Sequence, residues 1–369
     1  MSVQITKTVQ WFLGLQSFIM TDPRYEGLRP LFSKNLNQEN GLMSLRSLHH
    51  ASYQAIFRNL SQPAETMMID AIDSFISEKL GVSKNMLSEG KRIEAIAQNL
   101  VESSYAMLPT VSGTKVAEMR DYFERTPCYG GPYDPDCPEP AMFSVDELRE
   151  QGENTARYKT RDVIECPHVM RTASDPALLS IMTKHLGTVP MILDYSCWWS
   201  FAQEDQNSQH AQLYHFDLAD YRFCLMFIYL TDVDMDGGPH TLFPQTHEMD
   251  DVAKIREQYA GDAAEWDDWY FHNLRKTDDD MDRFFNGREP VSLTGEKGST
   301  LLVNTRSIHK GLVPTKQDRL IIQVVYGVTP MLQTLFDDPI KYGTPAAAHI
   351  PDWIFQPPGN YANWFFAAK

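Results

Sequence analysis

The feature that most restricts the fold is a series of short apolar runs in the second half of the chain, separated by turns and not by helices. These runs are rich in β-branched and aromatic residues: PMILDYSCWWSFAQ, RFCLMFIYLTDV, STLLVNTR and RLIIQVVYGV. In the last run alternate side chains point to opposite faces, with Arg319, Ile321, Gln323 and Val325 on one face. Successive strands without intervening helices predict a mainly β core, either a sandwich or a barrel.

The first hundred residues have the spacing of helices instead. In QPAETMMIDAIDSFISEKLG, Pro63 suits a first helical turn and Gly81 ends the segment. The apolar residues of this segment share one face: Met68, Ile69, Ile72, Ile76 and Leu80. The change of period predicts an N-terminal helical region over residues 1–98 and a β domain that begins at residue 99. The motifs described below end near residue 330, which leaves residues 331–369 as a C-terminal extension.

The N-terminal run VQWFLGLQSFIM is too short to span a bilayer, and Gln10 and Gln16 interrupt it. Its large apolar residues recur at helical spacing: Trp11, Phe12, Leu15, Phe18 and Ile19. A helix whose apolar face packs on the body of the protein is therefore favoured over attachment to a membrane surface.

Two segments depart from these patterns. Residues 126–142, TPCYGGPYDPDCPEPAM, contain five prolines and two adjacent glycines, which predict a long loop that is either a lid over a pocket or a surface excursion. Residues 248–290 combine helical apolar spacing with many acidic residues, which predicts a helical insertion on the barrel. Its acidic run is typical of a solvated face and not of a metal site.

The net charge of −16 argues against partners that are recognised through clustered Lys and Arg, namely nucleic acids and anionic membranes. The cysteines are odd in number and form no C-x-x-C motif, so neither a disulfide framework nor a zinc knuckle is indicated. They are Cys128, Cys137, Cys166, Cys197 and Cys224. We therefore expect a reducing, cytoplasmic setting.

One short stretch, YHFDLADYRF, places His215 and Asp217 two residues apart at the start of an apolar run. On an extended strand this spacing points both side chains to the same face. A third ligand is available in LLVNTRSIHKG, where His309 follows an apolar strand. Two histidines and one carboxylate are the ligand set of non-haem Fe(II) oxygenases. Arg319 opens the following strand, and its planar guanidinium suits bidentate binding of a carboxylate.

The order of these residues resembles the phytanoyl-CoA dioxygenase family of Fe(II)- and 2-oxoglutarate-dependent oxygenases. The resemblance lies roughly within residues 99–330, in YAMLP, HLGTVP, QLYHFD, FIYLTDVDMDGGPHTLFPQTH and GSTLLVNTRSIHKGL, with Arg319 beyond them. It implies a double-stranded β-helix, a jelly-roll or cupin-like fold, with helices packed outside.

The resemblance also implies roles for individual residues. His215, Asp217 and His309 would bind Fe(II), and Arg319 would pair with the distal carboxylate of 2-oxoglutarate. O2 would be the oxidant, with succinate and CO2 as products. Because halogenases of this kind have a small residue in place of the carboxylate ligand, Asp217 favours hydroxylation, desaturation or ring closure.

Other assignments follow from position alone. Trp198, on the strand before His215, is a candidate wall of the co-substrate pocket or an ordinary core aromatic. Gly311 supplies no hydroxyl to the co-substrate carboxylate, which leaves Thr300 and Thr231 as candidates for that hydrogen bond. His240 and His247 flank a Gly-Pro turn and its strand, where the family's histidines tend to be structural.

Three charged residues near the ligands could orient a polar substrate or form surface salt bridges: Asp220, Arg222 and Arg306. Two alternative functions stay open. One is a non-catalytic double-stranded β-helix protein that binds a ligand in its cleft, and the other is a hydrolase with zinc in the same triad. A small-molecule metabolite is the expected substrate, and a homodimer is an arrangement that the sequence leaves open.

Overall fold

The computed structural model describes residues 3–29, 62–131, 140–203, 212–273, 275–285, 287–330, 340–341 and 350–368. The predicted loop over 126–142 is described except for its eight residues 132–139, which include Cys137. Most of the predicted extension before residue 350 also lies outside the described ranges. Within the described ranges, no helix combines the length and the apolar character that crossing a membrane requires.

The N-terminal region is helical, as predicted. Helix α1 spans Val3–Thr21, a 3-10 turn spans Pro23–Leu28, and helices α2 and α3 span Gln62–Leu80 and Lys91–Ser103. The predicted apolar face of α1 is buried: Trp11, Phe12, Leu15, Phe18 and Ile19. The predicted face of α2 is buried except at its last residue, Leu80, which is 37% exposed.

The N-terminal helices share one hydrophobic core with the β domain. The core cluster that contains Trp11 and Ile72 also contains strand residues such as Tyr195 and Leu302. Helix α3 runs without a break across residue 98 and leads directly into strand β1, Tyr105–Leu108. The boundary predicted at residue 98 therefore falls inside a helix.

A seven-stranded sheet forms the centre of the molecule, and its strand order is β1-β8-β5-β10-β4-β3-β2. All of its strand pairs are antiparallel. Besides β1, its strands are β2 Tyr129–Gly130, β3 Thr155–Arg157, β4 Met191–Ser200, β5 Phe223–Tyr229, β8 Thr300–Val303 and β10 Arg319–Gly327. The predicted mainly β core is confirmed.

A smaller antiparallel sheet of three strands has the order β7-β6-β9. Its strands are β6 His240–Leu242, β7 Val291–Leu293 and β9 His309–Gly311. The segment around His215 extends it through a bridge to His309. From β4 onward the chain therefore passes repeatedly between the large and the small sheet.

In the described part of the chain, five helices lie between strands β1 and β4. They are α4 Gly113–Arg125, α5 Val145–Glu150, α6 Thr160–Glu165, α7 Val169–Ala173 and α8 Pro176–Leu186. Towards the C-terminus follow strand β11 Ile340–Lys341, a 3-10 turn Asp352–Phe355, helix α12 Gly359–Ala362 and strand β12 Ala367–Ala368, which pairs in parallel with β11. Asn363 accepts a hydrogen bond from the buried Tyr195 hydroxyl at 2.9 Å, which ties this terminus to β4.

The insertion predicted over residues 248–290 contains three helices in its described part: α9 Met249–Gln258, α10 Ala263–His272 and α11 Asp278–Phe284. Their apolar residues form a second core cluster with Tyr214, Phe243 and Ile308. These three residues adjoin strands of the small sheet, so the insertion supports the outer face of that sheet.

Candidate active site

The residues of the His-x-Asp segment alternate between the two sides of the small sheet. His215 and His309 exchange backbone hydrogen bonds of 2.9 and 2.8 Å, and the Asp217 N–H donates to the Thr305 carbonyl at 2.8 Å. Tyr214 belongs to the second core cluster on the outer side, and Phe216 packs against that cluster. This alternation leaves the side chains of His215 and Asp217 on the inner side.

The structure brings His215, Asp217 and His309 together. Their ligand atoms all lie within 4.8 Å of one another. The Asp217 carboxylate oxygens are 3.6 Å from Nε2 of each histidine, and the imidazole centroids are 4.3 Å apart. Two nitrogens and one carboxylate oxygen thus converge on a single point, which is the geometry of a three-ligand metal site.

Hydrogen bonds orient both imidazoles. Nδ1 of His215 lies 2.8 Å from the Leu213 carbonyl, and Nδ1 of His309 lies 2.9 Å from the Ser307 carbonyl. A carbonyl oxygen only accepts, so each Nδ1 carries the proton and each Nε2 presents its lone pair to the cluster. The tautomers are therefore those that metal binding requires.

Burial keeps His215 neutral. Desolvation is the largest of the effects that lower the pKa of His215 to about 3, and the neighbouring His309 is the second. Asp217 opposes this shift. Asp217 is the most accessible of the three ligands, with 35% of its side chain exposed. The cluster is thus open on the Asp217 side, where a bound ion would meet other molecules.

A buried lysine supports the ligand strand from behind. Lys276 exchanges backbone hydrogen bonds of 2.9 and 2.8 Å with Tyr214. Its Nζ lies 5.1 Å from the ring centroids of both Phe216 and Trp269, and it donates to the carbonyl of Asn273 at 2.5 Å. Desolvation lowers the pKa of Lys276 to about 8. This lysine joins the helical insertion to the strand that carries two of the three ligands.

Arg319 lies at the start of β10 and is 7% exposed. Its Nη2 donates to Ser200 Oγ at 3.2 Å, and its buried Nε has no acceptor among the described residues. Burial lowers the pKa of its guanidinium. No carboxylate of the described residues lies within ion-pair distance of Arg319. A buried cation without an anionic partner is costly, so this position calls for an anion from outside the chain.

Space for such an anion lies beside Gly311. A Cβ added to Gly311 would stand 3.6 Å from Arg319 Nη2. Gly311 pairs with His240 across the small sheet, and the His240 ring stacks on His309 at 5.0 Å. The buried Nε2 of His240 also lacks a partner among the described residues. Desolvation, with the charges of His309 and Arg319, lowers the pKa of His240 well below its usual range.

Thr300 does not belong to this pocket. It pairs with Ile228, which pairs with Ile322, so Thr300 shares their face of the large sheet. Arg319 lies on the opposite face because it is an odd number of residues from Ile322. The Thr300 hydroxyl donates to the Gly298 carbonyl at 3.2 Å. The structure therefore does not bring Thr300 to the side chain of Arg319. Thr231, the other candidate, accepts a hydrogen bond from the Leu320 N–H at 3.1 Å.

Trp198 lies on the same face as Arg319. It pairs with Ile321 of β10, and Ser200, two residues further along β4, pairs with Arg319. Trp198 is only partly buried, whereas its neighbours Cys197 and Trp199 are buried. Its position on the inner face agrees with the predicted wall of a pocket.

Asp220 does not face a substrate. It is buried, and its carboxylate accepts hydrogen bonds from the backbone N–H groups of Val328 and Thr329 at 2.7 and 2.6 Å and from the Thr329 hydroxyl at 2.8 Å. Desolvation raises the pKa of Asp220 to about 7. This side chain fixes the end of β10, and the structure does not place it among the metal ligands.

Arg222 and Arg306 share one acidic partner, Glu65 of α2. Arg222 Nε lies 2.6 Å from Oε1 and Arg306 Nη1 lies 3.3 Å from Oε2 of that carboxylate. Arg306 also donates to the Tyr221 carbonyl at 3.3 Å. Both arginines thus attach the N-terminal helices to the β domain. The structure does not support their prediction as substrate contacts, because a structural carboxylate occupies them.

The remaining histidine near the turn is structural. Nδ1 of His247 lies 2.8 Å from Ser104 Oγ, and burial lowers its pKa to about 4. The sequence reasoning missed Ser200, Lys276 and Glu65. A signal existed only for Ser200, which follows Trp198 by two residues and therefore shares its face.

No protein-family model matches the chain, and no curated protein matches it. Solved structures do. The non-haem α-ketoglutarate-dependent epimerase SnoN from nogalamycin biosynthesis is 14% identical, with 64% of this chain and 82% of that chain covered and a TM-score of 0.40. HygX from Streptomyces hygroscopicus, solved with nickel and 2-oxoglutarate, is 15% identical over 72% of this chain and 95% of that chain, with a TM-score of 0.38.

EvdO2 from Micromonospora carbonacea var. aurantiaca, solved with 2-oxoglutarate, is 15% identical over 65% of this chain and 91% of that chain, with a TM-score of 0.40. Similarities of this size do not establish an activity for this chain. The function is therefore argued from the residues of its own site.

Proposed function

We propose that this protein is an Fe(II)- and 2-oxoglutarate-dependent oxygenase that acts on a small-molecule metabolite. One observation carries the proposal. Arg319 is a buried arginine on the inner face of the large sheet, with no anionic partner among the described residues. It lies beside Gly311, which is two residues along β9 from the ligand His309. A site with both a three-ligand cluster and an unpaired guanidinium suits a metal together with a dicarboxylate.

The strand arrangement supports a double-stranded β-helix. In that fold, two four-stranded sheets face each other and successive strands alternate between them. The orders β8-β5-β10-β4 and β7-β6-β9, with the His215 segment next to β9, agree with such an alternation. The Phe227 and His240 rings, from opposite sheets, are 5.1 Å apart, as expected for two facing inner sides.

The ligand set suits Fe(II). His215, Asp217 and His309 offer two imidazole nitrogens and one carboxylate, which leaves up to three positions for other molecules. Both imidazoles are held by Nδ1 hydrogen bonds to backbone carbonyls, so binding an ion needs no change of tautomer. Asp217 supplies the carboxylate that favours oxidation of a C–H bond over halogenation.

The chain offers the distal carboxylate of 2-oxoglutarate three groups: the Arg319 guanidinium, the Ser200 hydroxyl and His240 Nε2. Gly311 leaves room for the carbon chain between this carboxylate and the metal ligands. Trp198 limits the pocket on the β4 side. When bound, the iron and 2-oxoglutarate supply oxidative decarboxylation with O2, which yields succinate and CO2 and oxidises the substrate. Hydroxylation is the outcome that we propose, and the phytanoyl-CoA dioxygenase family is the relationship that the motifs favour.

The test uses purified protein under anaerobic conditions with Fe(II). We expect addition of 2-oxoglutarate to produce a visible charge-transfer absorption band, and admission of O2 to produce succinate. Asp217→Ala should lose bound iron and the band. Arg319→Gln should keep iron but raise the concentration of 2-oxoglutarate needed for the band at least tenfold, since it loses a charge-assisted pair.

A protein without any band that retains its iron in the Asp217→Ala variant would contradict the proposal. A binding protein would hold ligand in the cleft without forming succinate. A zinc hydrolase would act without O2 or 2-oxoglutarate and would leave Arg319 without a role.

A further inference from the structure

A second arginine, partly buried, lies on the same inner face as Arg319. Arg157 ends strand β3 and pairs with Trp198 on one side and with Tyr129 of β2 on the other. Trp198 in turn pairs with Ile321 of β10. Directly paired residues of neighbouring strands point to one face, so Arg157 shares the face of the co-substrate pocket.

The Nε atom of Arg157 is buried and has no hydrogen-bond partner among the described residues. Its guanidinium carbon lies 5.4 Å from the centroid of the Trp198 ring. Burial lowers the pKa of Arg157, while the nearby Tyr129 and the Asp194 carboxylate act in the opposite sense. A desolvated guanidinium that stacks on an aromatic ring keeps its donors in one plane, ready for a planar acceptor.

The inner face of β4 is open to solvent beside this arginine. Asp194, Ser196 and Trp198 are partly exposed, whereas Tyr195 and Cys197 between them are buried at 0% and 1% exposure. The partly exposed residues of β4 therefore all lie on its inner face, whereas side chains would cover that face in a barrel with a filled interior. Ser196 donates a hydrogen bond to Asp194, so polar side chains line this opening.

The opening is separate from the pocket of Arg319. Arg157 is two strands away from Ile321 of β10, which is itself two residues along β10 from Arg319. At ordinary strand spacing the Cα atoms of Arg157 and Arg319 are therefore about 12 Å apart. Trp198 stands between β3 and β10 in that row. One dicarboxylate that extends from Arg319 to the metal site would therefore not reach Arg157.

We propose that Arg157 binds the carboxylate of the substrate, which is a small carboxylic acid held between β3 and the metal ligands. This inference rests on the proposed function, since it takes the Arg319 pocket to be filled by 2-oxoglutarate. A carboxylate is favoured over a phosphate because the nearby Asp194 carries a negative charge that opposes a dianion. The planar fork of Arg157 matches a carboxylate with two parallel hydrogen bonds.

The experiment measures binding by calorimetry and thermal unfolding under anaerobic conditions, with Fe(II) and saturating 2-oxoglutarate. The probes are matched pairs, each a small carboxylic acid and its primary amide, drawn from amino acids, hydroxy acids and aromatic acids. We expect at least one acid to bind the wild-type protein and its amide to bind at least tenfold more weakly. Arg157→Gln should weaken binding of that acid at least tenfold.

Arg161→Gln is the matched control, because Arg161 is exposed and pairs with Glu165 on the nearby helix α6. It should bind the acid as the wild type does, and Arg157→Lys should retain part of the affinity. Arg157→Gln should also keep the wild-type affinity for 2-oxoglutarate. The proposal is overturned if no acid binds more tightly than its amide, if Arg157→Gln binds the acid within twofold of the wild type, or if its main loss is affinity for 2-oxoglutarate.

The same titrations in metal-free protein without 2-oxoglutarate separate the two proposals. If the wild type gives no band with Fe(II) and 2-oxoglutarate, the proposed function fails. An acid that still binds the metal-free wild type and not Arg157→Gln would then support the Arg157 site on its own.

Discussion

Replacing Arg319 with methionine should stabilise the ligand-free protein while abolishing its response to 2-oxoglutarate. A buried ion without a partner has an effective desolvation penalty of several kcal/mol, against which Arg319 gains one hydrogen bond to Ser200, about 1 kcal/mol. Methionine keeps much of the side-chain volume without the charge. We therefore expect the free energy of unfolding of Arg319→Met to rise by about 1 to 3 kcal/mol.

The size of the protein sets the thermal shift. At about 2.1 cal/mol/K of unfolding entropy per residue, 369 residues give roughly 0.8 kcal/mol/K, so each kcal/mol moves Tm by about 1.3 °C. Arg319→Met should thus unfold about 1 to 4 °C above the wild type in the absence of ligand. With 2-oxoglutarate at 100 times its Kd, the wild type should gain about 2.7 kcal/mol, or about 3 to 4 °C.

The assay is thermal unfolding of the anaerobic Fe(II)-loaded proteins, with and without 2-oxoglutarate. Arg161→Met, at an exposed position on α6, serves as the control and should change neither Tm nor the ligand response. Two results would refute the reasoning. One is an Arg319→Met protein that unfolds below the wild type without ligand, and the other is a variant that keeps the full rise with 2-oxoglutarate.

Three further predictions concern residues around the site. Gly311→Val should weaken 2-oxoglutarate binding at least tenfold at unchanged iron content, because its methyl groups would fill the space beside Arg319; an unchanged Kd would contradict the assigned pocket. For Lys276, the folded pKa of about 8 lies below the unfolded 10.5, so the unfolded chain binds more protons between these values and stability rises with pH. Between pH 8 and pH 10.5, the free energy of unfolding measured in urea should rise by up to about 3 kcal/mol more in the wild type than in Lys276→Met. An equal change in both proteins would contradict the low pKa of Lys276. Asp220→Asn should lower the free energy of unfolding by about 1 to 3 kcal/mol, since an amide nitrogen cannot accept from the donors of Val328 and Thr329; an unchanged urea midpoint would show that these bonds contribute nothing.

The sequence could predict features that depend on a single strand or helix. Two-residue spacing predicts that His215 and Asp217 share a side of their strand, and the structure places both on the inner side because Tyr214 and Phe216 pack outward. Helical spacing likewise predicts the buried face of α1. In each case the information lies within a few consecutive residues.

Features that depend on register between strands could not be predicted. Thr300 is a candidate partner of the co-substrate carboxylate because it carries a hydroxyl that Gly311 lacks, yet its pairing with Ile228 turns it to the face opposite Arg319. A shift of one residue would have reversed this result. No pattern within STLLVNTR contains the register, since it is set by packing between strands.

Contacts between distant elements were equally out of reach. Arg222 and Arg306 were expected near a substrate because they adjoin the ligand strands in sequence. Both instead contact Glu65, on a helix more than one hundred residues earlier in the chain. The docking of α2 decides their partners, and α2 docks through apolar residues such as Met68, Ile69 and Ile72, which belong to the main core cluster.

The charged residues near the ligands differ in what they contact, and this difference separates structural from functional positions. Asp220 is surrounded by backbone donors, and Arg222 and Arg306 share a carboxylate, so the folded chain itself compensates their charges. Arg319 and Arg157 lie on the inner face, and the buried Nε of each has no hydrogen-bond partner among the described residues. A protein is not stabilised by such groups when ligand is absent, because burial of an unpaired charge costs free energy. We therefore propose that two anions explain the presence of this pair on one face of the large sheet, a co-substrate at Arg319 and a substrate at Arg157.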